Sequence, residues 1–164
     1  MPGPTKYARP EYERRFLLDR LPDDVSDPVR IRDRYVYDSD LRLRLVEDMD
    51  GNVLRRKLGQ KQRANSADPR VVFHTTIYLD EREHAILSAL PGDDLVKIRY
   101  RDSAFPGAVV DVVEHPARGV ILLEVSLPDP VALELFQPPT DAVEVSDDES
   151  YTGRSLARPF NSRV

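Results

Sequence analysis

The sequence predicts an α+β domain in which up to eight short strands form a barrel or a strongly curved sheet, with two or three helices packed outside it. Most segments alternate polar and apolar residues with the two-residue period of a strand, and turn-forming residues separate them at short intervals. The 164 residues, 40% of them apolar, are enough for one domain with its own core. We therefore expect a single domain over residues 1–164, with residues 1–9 as a flexible leader because they hold two prolines and a glycine.

The first half of the chain predicts five strands. Turn-forming residues at 21–24 and 48–52 end two of them, and the second turn is typical of a hairpin. In the strand that follows the first turn, Asp33 falls among the apolar residues, opposite a face of arginines, so the sequence leaves open which face points inward. The predicted strands are 11–18, 29–37, 41–45, 53–61 and 71–79.

The second half mixes strands and helices. Asp80 is a predicted N-cap for a helix that ends before Pro91, and its apolar side is expected to pack over the sheet. Asp129 and Pro130 open a short helix that reaches Phe136. The predicted strands are 96–101, 109–114 and 120–127, with 142–145 as one further candidate, and a last helix is predicted over 149–158.

Strand after strand places its ionisable residues on one face. On an open sheet this face would be solvated and would need no function. In a closed barrel it would line a lumen, where crowded like charges require a ligand to neutralise them. The residues concerned are Glu11, Glu13, Arg15, Arg42, Arg44, Arg55, Lys57, Lys97, Arg99, Arg101, Asp111 and Glu124.

The residue types narrow the chemistry of such a lumen. Arginine forks suit phosphate oxygens, and carboxylates hold Mg²⁺ or Mn²⁺. The absence of cysteine excludes thiolate metal sites, and a formal net charge of −5 argues against a nonspecific nucleic-acid binder. No apolar run approaches a membrane span, so we expect a cytoplasmic protein without nucleic-acid or membrane partners. His74, His84 and His115 lack metal-ligand spacing, although His74 and Thr76 share one strand face.

Six motifs in order resemble the CYTH domain of the triphosphate tunnel metalloenzymes. They run from about Glu11 to about Arg158. The resemblance implies an antiparallel eight-stranded β-barrel, or tunnel, that depends on Mg²⁺ or Mn²⁺ and acts on triphosphates. The motifs are Glu11-x-Glu13-x-Arg15, Leu41-Arg42-Leu43-Arg44, Lys57-Leu58-Gly59, Lys97-Ile98-Arg99, Asp111 after paired valines, and Glu124-Val125-Ser126.

The resemblance also implies roles for individual residues. Arg15 stands where the family signature has lysine, and it would act on the transferred phosphoryl group as the catalytic residue. Ser126 stands where many relatives have a second glutamate, and Glu114 could replace that glutamate only if a bulge turned it inward. The implied metal ligands are Glu11, Glu13, Asp111 and Glu124. The implied phosphate-binding residues are Arg42, Arg44, Lys57, Lys97, Arg99 and Arg101.

The expected function is metal-dependent binding of a triphosphate or polyphosphate, with hydrolysis of inorganic tripolyphosphate or an organic triphosphate. Three alternatives stay open: a non-catalytic binder of polyphosphate or nucleotide, a class IV-type adenylate cyclase, and an open sheet with a protein partner. The sequence also leaves open a homodimer. Arg154 and Arg158 could close over a tunnel mouth from the last helix or lie on the surface.

Overall fold

Eight antiparallel strands close into a barrel in the computed structural model, which describes residues 6–63 and 68–159. Of the predicted leader, residues 1–5 lie outside the described residues, and Arg9 already belongs to the first strand. The strands are β1 (Arg9–Leu18), β2 (Val25–Val36), β3 (Leu41–Glu47), β4 (Val53–Arg63), β5 (Val71–Tyr78), β6 (Gly92–Asp102), β7 (Ala108–His115), β8 (Ile121–Leu127) and β9 (Val143–Glu144). The helices are α1 (Glu81–Leu87), α2 (Pro130–Leu135) and α3 (Gly153–Ala157).

The barrel closes through β1. The strand order is β5-β4-β3-β2-β6-β7-β8-β1, and β1 also pairs with β5, where Glu11 lies opposite Val72. Further along, β1 pairs with β8 on one side and with the two-residue β9 on the other. This closure excludes the open-sheet alternative and confirms the eight-stranded antiparallel barrel.

An apolar core lies outside the barrel wall, between the strands and α2. Phe16, Val110 and Leu123 are fully buried there, and the rings of Phe16 and Phe136 lie 5.7 Å apart. Asp129 caps α2 by accepting from the backbone N–H of Ala132, as its sequence position predicts. By contrast α1 buries none of its residues, and Ile86 on its predicted apolar side is 63% exposed.

A second apolar core fills one end of the barrel. Leu95, Val113 and Leu122 share the inward face of their strands with the lumen charges and pack against Leu156 and Ala157 of α3. The predicted helix 149–158 is thus two elements, a 3₁₀ turn at Glu149–Tyr151 and then α3, because Thr152 has extended backbone and caps α3.

Arg154 holds α3 against this end of the barrel. It donates to the carbonyl oxygens of Val36 and Ser39 at 3.0 and 2.7 Å, and its guanidinium lies over the ring of Tyr35. The helix α3 therefore closes one end of the tunnel, and the lumen charges lie between it and the other end. None of the helices in the described ranges is long and apolar enough to cross a membrane.

Candidate active site in the barrel lumen

The two glutamates of the N-terminal motif point into the lumen from β1. The Lys61 ammonium lies 3.0 and 3.1 Å from the two carboxylate oxygens of Glu13 and 3.1 Å from Oε2 of Glu11. Nδ1 of His74 lies 2.7 Å from Oε1 of Glu11, and the Thr76 hydroxyl lies 3.0 Å from Nε2 of His74. Burial raises the pKa of Glu11, but the hydrogen bond from His74 and the charge of Lys61 outweigh it and lower the pKa to about 2.

A second cluster occupies the middle of the lumen on β6, β7 and β8. Asp111 is buried, and its oxygens accept from the Lys97 ammonium at 2.5 Å and from two Arg99 nitrogens at 2.7 Å. Arg99 also donates to Glu124 at 3.0 Å, and Nε of Arg15 lies 3.5 Å from the other oxygen of Glu124. Burial raises the pKa of Asp111, but Arg99 and Lys97 outweigh it, so the pKa is lowered and the carboxylate stays charged.

A third cluster shows which face of β2 points inward. Asp33 has a fully buried carboxylate that accepts two 2.7 Å hydrogen bonds from Arg44, and Arg42 lies 3.9 Å away. Burial raises the pKa of Asp33, and the charges of Arg44 and Arg42 lower it well below its usual range. The arginines of the opposite face point outward, and two of them, Arg32 and Arg34, pair with Glu47 and Asp94.

Positive charge in the lumen is only partly matched by protein groups. Lys57 has no carboxylate within ion-pair distance in the described part of the chain, and burial together with Arg44 and Arg55 lowers its pKa. The Nε atoms of Arg15 and Arg42 are buried and lack a hydrogen-bond acceptor among the described residues. Groups of this kind are suited to an anionic ligand.

The structure brings together most of the predicted site residues. Arg101 shares the inward face of β6 but is exposed near the end of the strand. Ser126 is exposed opposite Glu13, and Glu114 sits at a bulge of β7 yet pairs outside the barrel with Arg30. The bulge therefore does not supply the second glutamate. The residues gathered in the lumen are Glu11, Glu13, Arg15, Arg42, Arg44, Lys57, Lys97, Arg99, Asp111 and Glu124.

Sequence reasoning missed two lumen residues and undervalued a third. Asp33 interrupts the apolar face of its strand, which is the signal of a buried carboxylate with cationic partners. Lys61 has the same strand parity as Lys57 and could have been found by extending that alternation by two steps. For His74 the sequence indicates only a shared strand face with Thr76, whereas the structure places it in direct contact with Glu11.

Comparison with known proteins supports the tunnel fold. No family model and no curated protein matches the sequence. Two crystal structures of NE1496 match, one described as a hypothetical protein and the other as an inorganic triphosphatase. Each is 25% identical to the chain, with TM-scores of 0.58 and 0.60. The matches cover 90% and 91% of this chain and 97% and 96% of NE1496. The chain has the CYTH tunnel fold.

The described carboxylates of the lumen do not form a complete metal cage by themselves. Among residues 6–63 and 68–159, no three carboxylate or imidazole groups converge closely enough to hold a metal ion. Mg²⁺ is usually bound by one or two carboxylates together with phosphate oxygens and water. Oε2 of Glu11 is buried, and its cationic neighbour among the described residues, the Lys61 ammonium at 3.1 Å, is not aligned as a hydrogen-bond donor, so Glu11 and Glu13 fit an ion whose coordination a bound phosphate chain completes. Asp111 already has both oxygens engaged by Lys97 and Arg99.

Proposed function

We propose that the chain is a metal-dependent triphosphatase that holds inorganic tripolyphosphate or an organic triphosphate in its tunnel and hydrolyses the terminal phosphate. The observation that carries the proposal is the charge of the lumen. Although the whole chain has a net charge of −5, the cations gathered in the lumen outnumber the carboxylates gathered there among the described residues. The cations are Arg15, Arg42, Arg44, Lys57, Lys61, Lys97 and Arg99, and the carboxylates are Glu11, Glu13, Asp33, Asp111 and Glu124.

Each carboxylate that is saturated by cations orients those cations toward the substrate. Asp33 holds Arg44 by two short hydrogen bonds, and Asp111 holds Arg99 in the same bidentate way. Cations held in advance bind phosphate with little loss of side-chain entropy. We therefore assign Asp111 to positioning Lys97 and Arg99 rather than to metal binding.

The incompletely partnered cations contact the phosphate chain directly in this proposal. Lys57 and Arg42 bind phosphate oxygens, which restores the charge that burial and neighbouring cations disfavour on Lys57. Arg15 stabilises charge on the transferred phosphoryl group, as arginine does in other phosphoryl transfers. A divalent ion held by Glu11 and Glu13, with Glu124 nearby, would neutralise further phosphate charge. The description of NE1496 as an inorganic triphosphatase is consistent with these roles.

The direct test is phosphate release from tripolyphosphate and from ATP with Mg²⁺ or Mn²⁺, measured beside thermal stabilisation by the same ligands. Release of orthophosphate supports hydrolysis. Stabilisation without turnover indicates the non-catalytic binder, which the replacement of the signature lysine by Arg15 keeps as the second candidate. Pyrophosphate release from ATP indicates the cyclase. The absence of both stabilisation and turnover would refute the proposal.

Arg15 offers a sharper test of the same mechanism. Arg15→Ala should lower turnover about 10²-fold to 10³-fold, the usual loss when one charge-stabilising donor is removed. Arg15→Lys separates charge from shape, and a large gain in turnover would show that the arginine slows hydrolysis. The matched control is Arg32→Ala, since Arg32 points outward and pairs with Glu47. Unchanged turnover in Arg15→Ala would remove Arg15 from the reaction.

A further inference from the structure

Lys61 lies between the two glutamates of β1. Its ammonium is 3.0–3.1 Å from three carboxylate oxygens, two on Glu13 and one on Glu11. Glu11 and Glu13 are two residues apart on one strand face, so their charges lie about 7 Å apart along β1 and repel each other. A single cation between them removes much of that repulsion.

The contact of Lys61 with Glu11 and Glu13 depends on the closed barrel, because Lys61 lies on β4, a strand that is not next to β1. The strand β4 pairs with β5, and β5 pairs with β1, so the Lys61 side chain crosses the inner face of β5. There it passes beside His74, whose backbone is paired with that of Lys61. His74 takes the remaining oxygen of Glu11 at 2.7 Å. Protein groups thus approach all four oxygens of the carboxylate pair.

The contact between Lys61 and Oε2 of Glu11 is a charge contact rather than a well-aligned hydrogen bond. Lys61 lies 3.1 Å from Oε2 of Glu11, yet this buried oxygen has no hydrogen-bond donor in line with it among the described residues. An ammonium satisfies two carboxylates less fully than a divalent ion, which carries twice the charge and accepts several oxygen ligands at once. Lys61 therefore neutralises the pair without saturating it.

We propose that Lys61 is an internal counter-ion that holds the divalent-cation position between Glu11 and Glu13, so that a metal ion binds by displacing it. This inference rests on the proposed function for the identity of the metal and the phosphate ligand. Displacement sends the Lys61 ammonium into a lumen that then contains phosphate, so the lost ion pair is replaced by a new one. Metal and triphosphate therefore bind cooperatively, and metal alone binds weakly.

The experiment measures Mn²⁺ binding to the full chain without any phosphate ligand, by calorimetric titration and by the loss of the free-ion Mn²⁺ signal in electron paramagnetic resonance. Lys61→Met removes the charge and keeps the length of the side chain, and it should tighten Mn²⁺ binding about tenfold or more. Lys61→Arg keeps the charge and should bind Mn²⁺ as the unchanged chain does. Lys57→Met is the matched control, because it removes the same charge from the same strand without touching a carboxylate.

A second readout is the melting temperature, which also shows that each variant folds. In chelator, Lys61→Met should melt below the unchanged chain, because two lumen carboxylates lose their counter-ion. Added Mn²⁺ should raise the melting temperature of Lys61→Met more than that of the unchanged chain. The inference is overturned if Lys61→Met binds Mn²⁺ no more tightly than the unchanged chain, or if Lys57→Met tightens it equally.

The outcome is separable from that of the proposed function. Tripolyphosphate hydrolysis is measured at saturating Mn²⁺ for the same proteins. Tighter Mn²⁺ binding in Lys61→Met without hydrolysis in any protein would leave the counter-ion inference standing and refute the triphosphatase. Hydrolysis of tripolyphosphate with no gain in the Mn²⁺ affinity of Lys61→Met would support the triphosphatase and refute the counter-ion inference.

Discussion

Asp33→Asn should be among the most destabilising single substitutions in the barrel. The Asp33 side chain has no exposed surface and accepts two 2.7 Å hydrogen bonds from Arg44, whose own side chain is 9% exposed. Asparagine keeps the shape but removes the charge, and it leaves Arg44 buried without a counter-ion. Loss of one partner of a buried pair costs about 3–5 kcal/mol. For a domain of this size, that corresponds to a fall in melting temperature of roughly 6–20 °C.

The matched control has the same chemistry at the surface. Asp94 accepts two 2.8 Å hydrogen bonds from Arg34, but its side chain is 52% exposed. Asp94→Asn should therefore cost only about 0–1 kcal/mol. Urea unfolding followed by far-ultraviolet circular dichroism measures both variants. A loss below about 1 kcal/mol for Asp33→Asn, or equal losses at the two positions, would refute the reasoning that burial makes this ion pair structural.

Three further predictions concern the lumen and its closed end. Burial raises the pKa of Glu11, and its His74 and Lys61 partners lower it from 4.5 to about 2. The resulting stabilisation is present above the unfolded pKa and is lost as the pH falls toward 2. Urea unfolding at pH 7, 4 and 3 should therefore show a free energy of unfolding that falls below about pH 4. An unfolding free energy that does not change with pH would contradict this prediction. Gly59→Ala puts a Cβ 3.0 Å from Nε2 of His74, so the His74 ring must shift. Urea unfolding should therefore show a free energy of unfolding lower by about 1 kcal/mol. Unchanged stability would show that the ring is free to move. Leu156→Ala should lower the free energy of unfolding by about 2–5 kcal/mol, because Leu156 is 5% exposed in the core that closes the tunnel. A loss as small as that of an exposed-residue control would argue against the closure.

The sequence predicts the strands well because their alternation is local. The hairpin of β3 and β4, for example, follows from five residues with clear alternation and a turn rich in aspartate, asparagine and glycine. The inward face of β2 could not be decided locally. Arg30, Arg32 and Arg34 resemble the lumen arginines of other strands, and only their pairing with acids on β7, β3 and β6 respectively places them outside.

The sequence predicts most of the residues that line the candidate site, but not which of their side chains contact each other. Alternation places Glu11 and Glu13 on one face, and the family resemblance suggests what they bind. Their contact with Lys61 depends on barrel closure and on the register of β5, which no periodicity in either strand reveals. The same holds for Asp33, because its partner Arg44 lies on the neighbouring strand and the value of the pair depends on burial.

The closure of the barrel through β1 has a consequence for how the chain folds. Apart from the two-residue β9, the partners of this first strand are β5, more than fifty positions later, and β8, more than a hundred positions later. Contacts so distant in sequence form slowly, since long loops must be ordered before the pairing rewards them. On the ribosome, the part of β1 that pairs with β8 therefore stays unpaired until nearly the whole barrel has been synthesised, and the charged residues of β1 discourage it from pairing with other nascent chains.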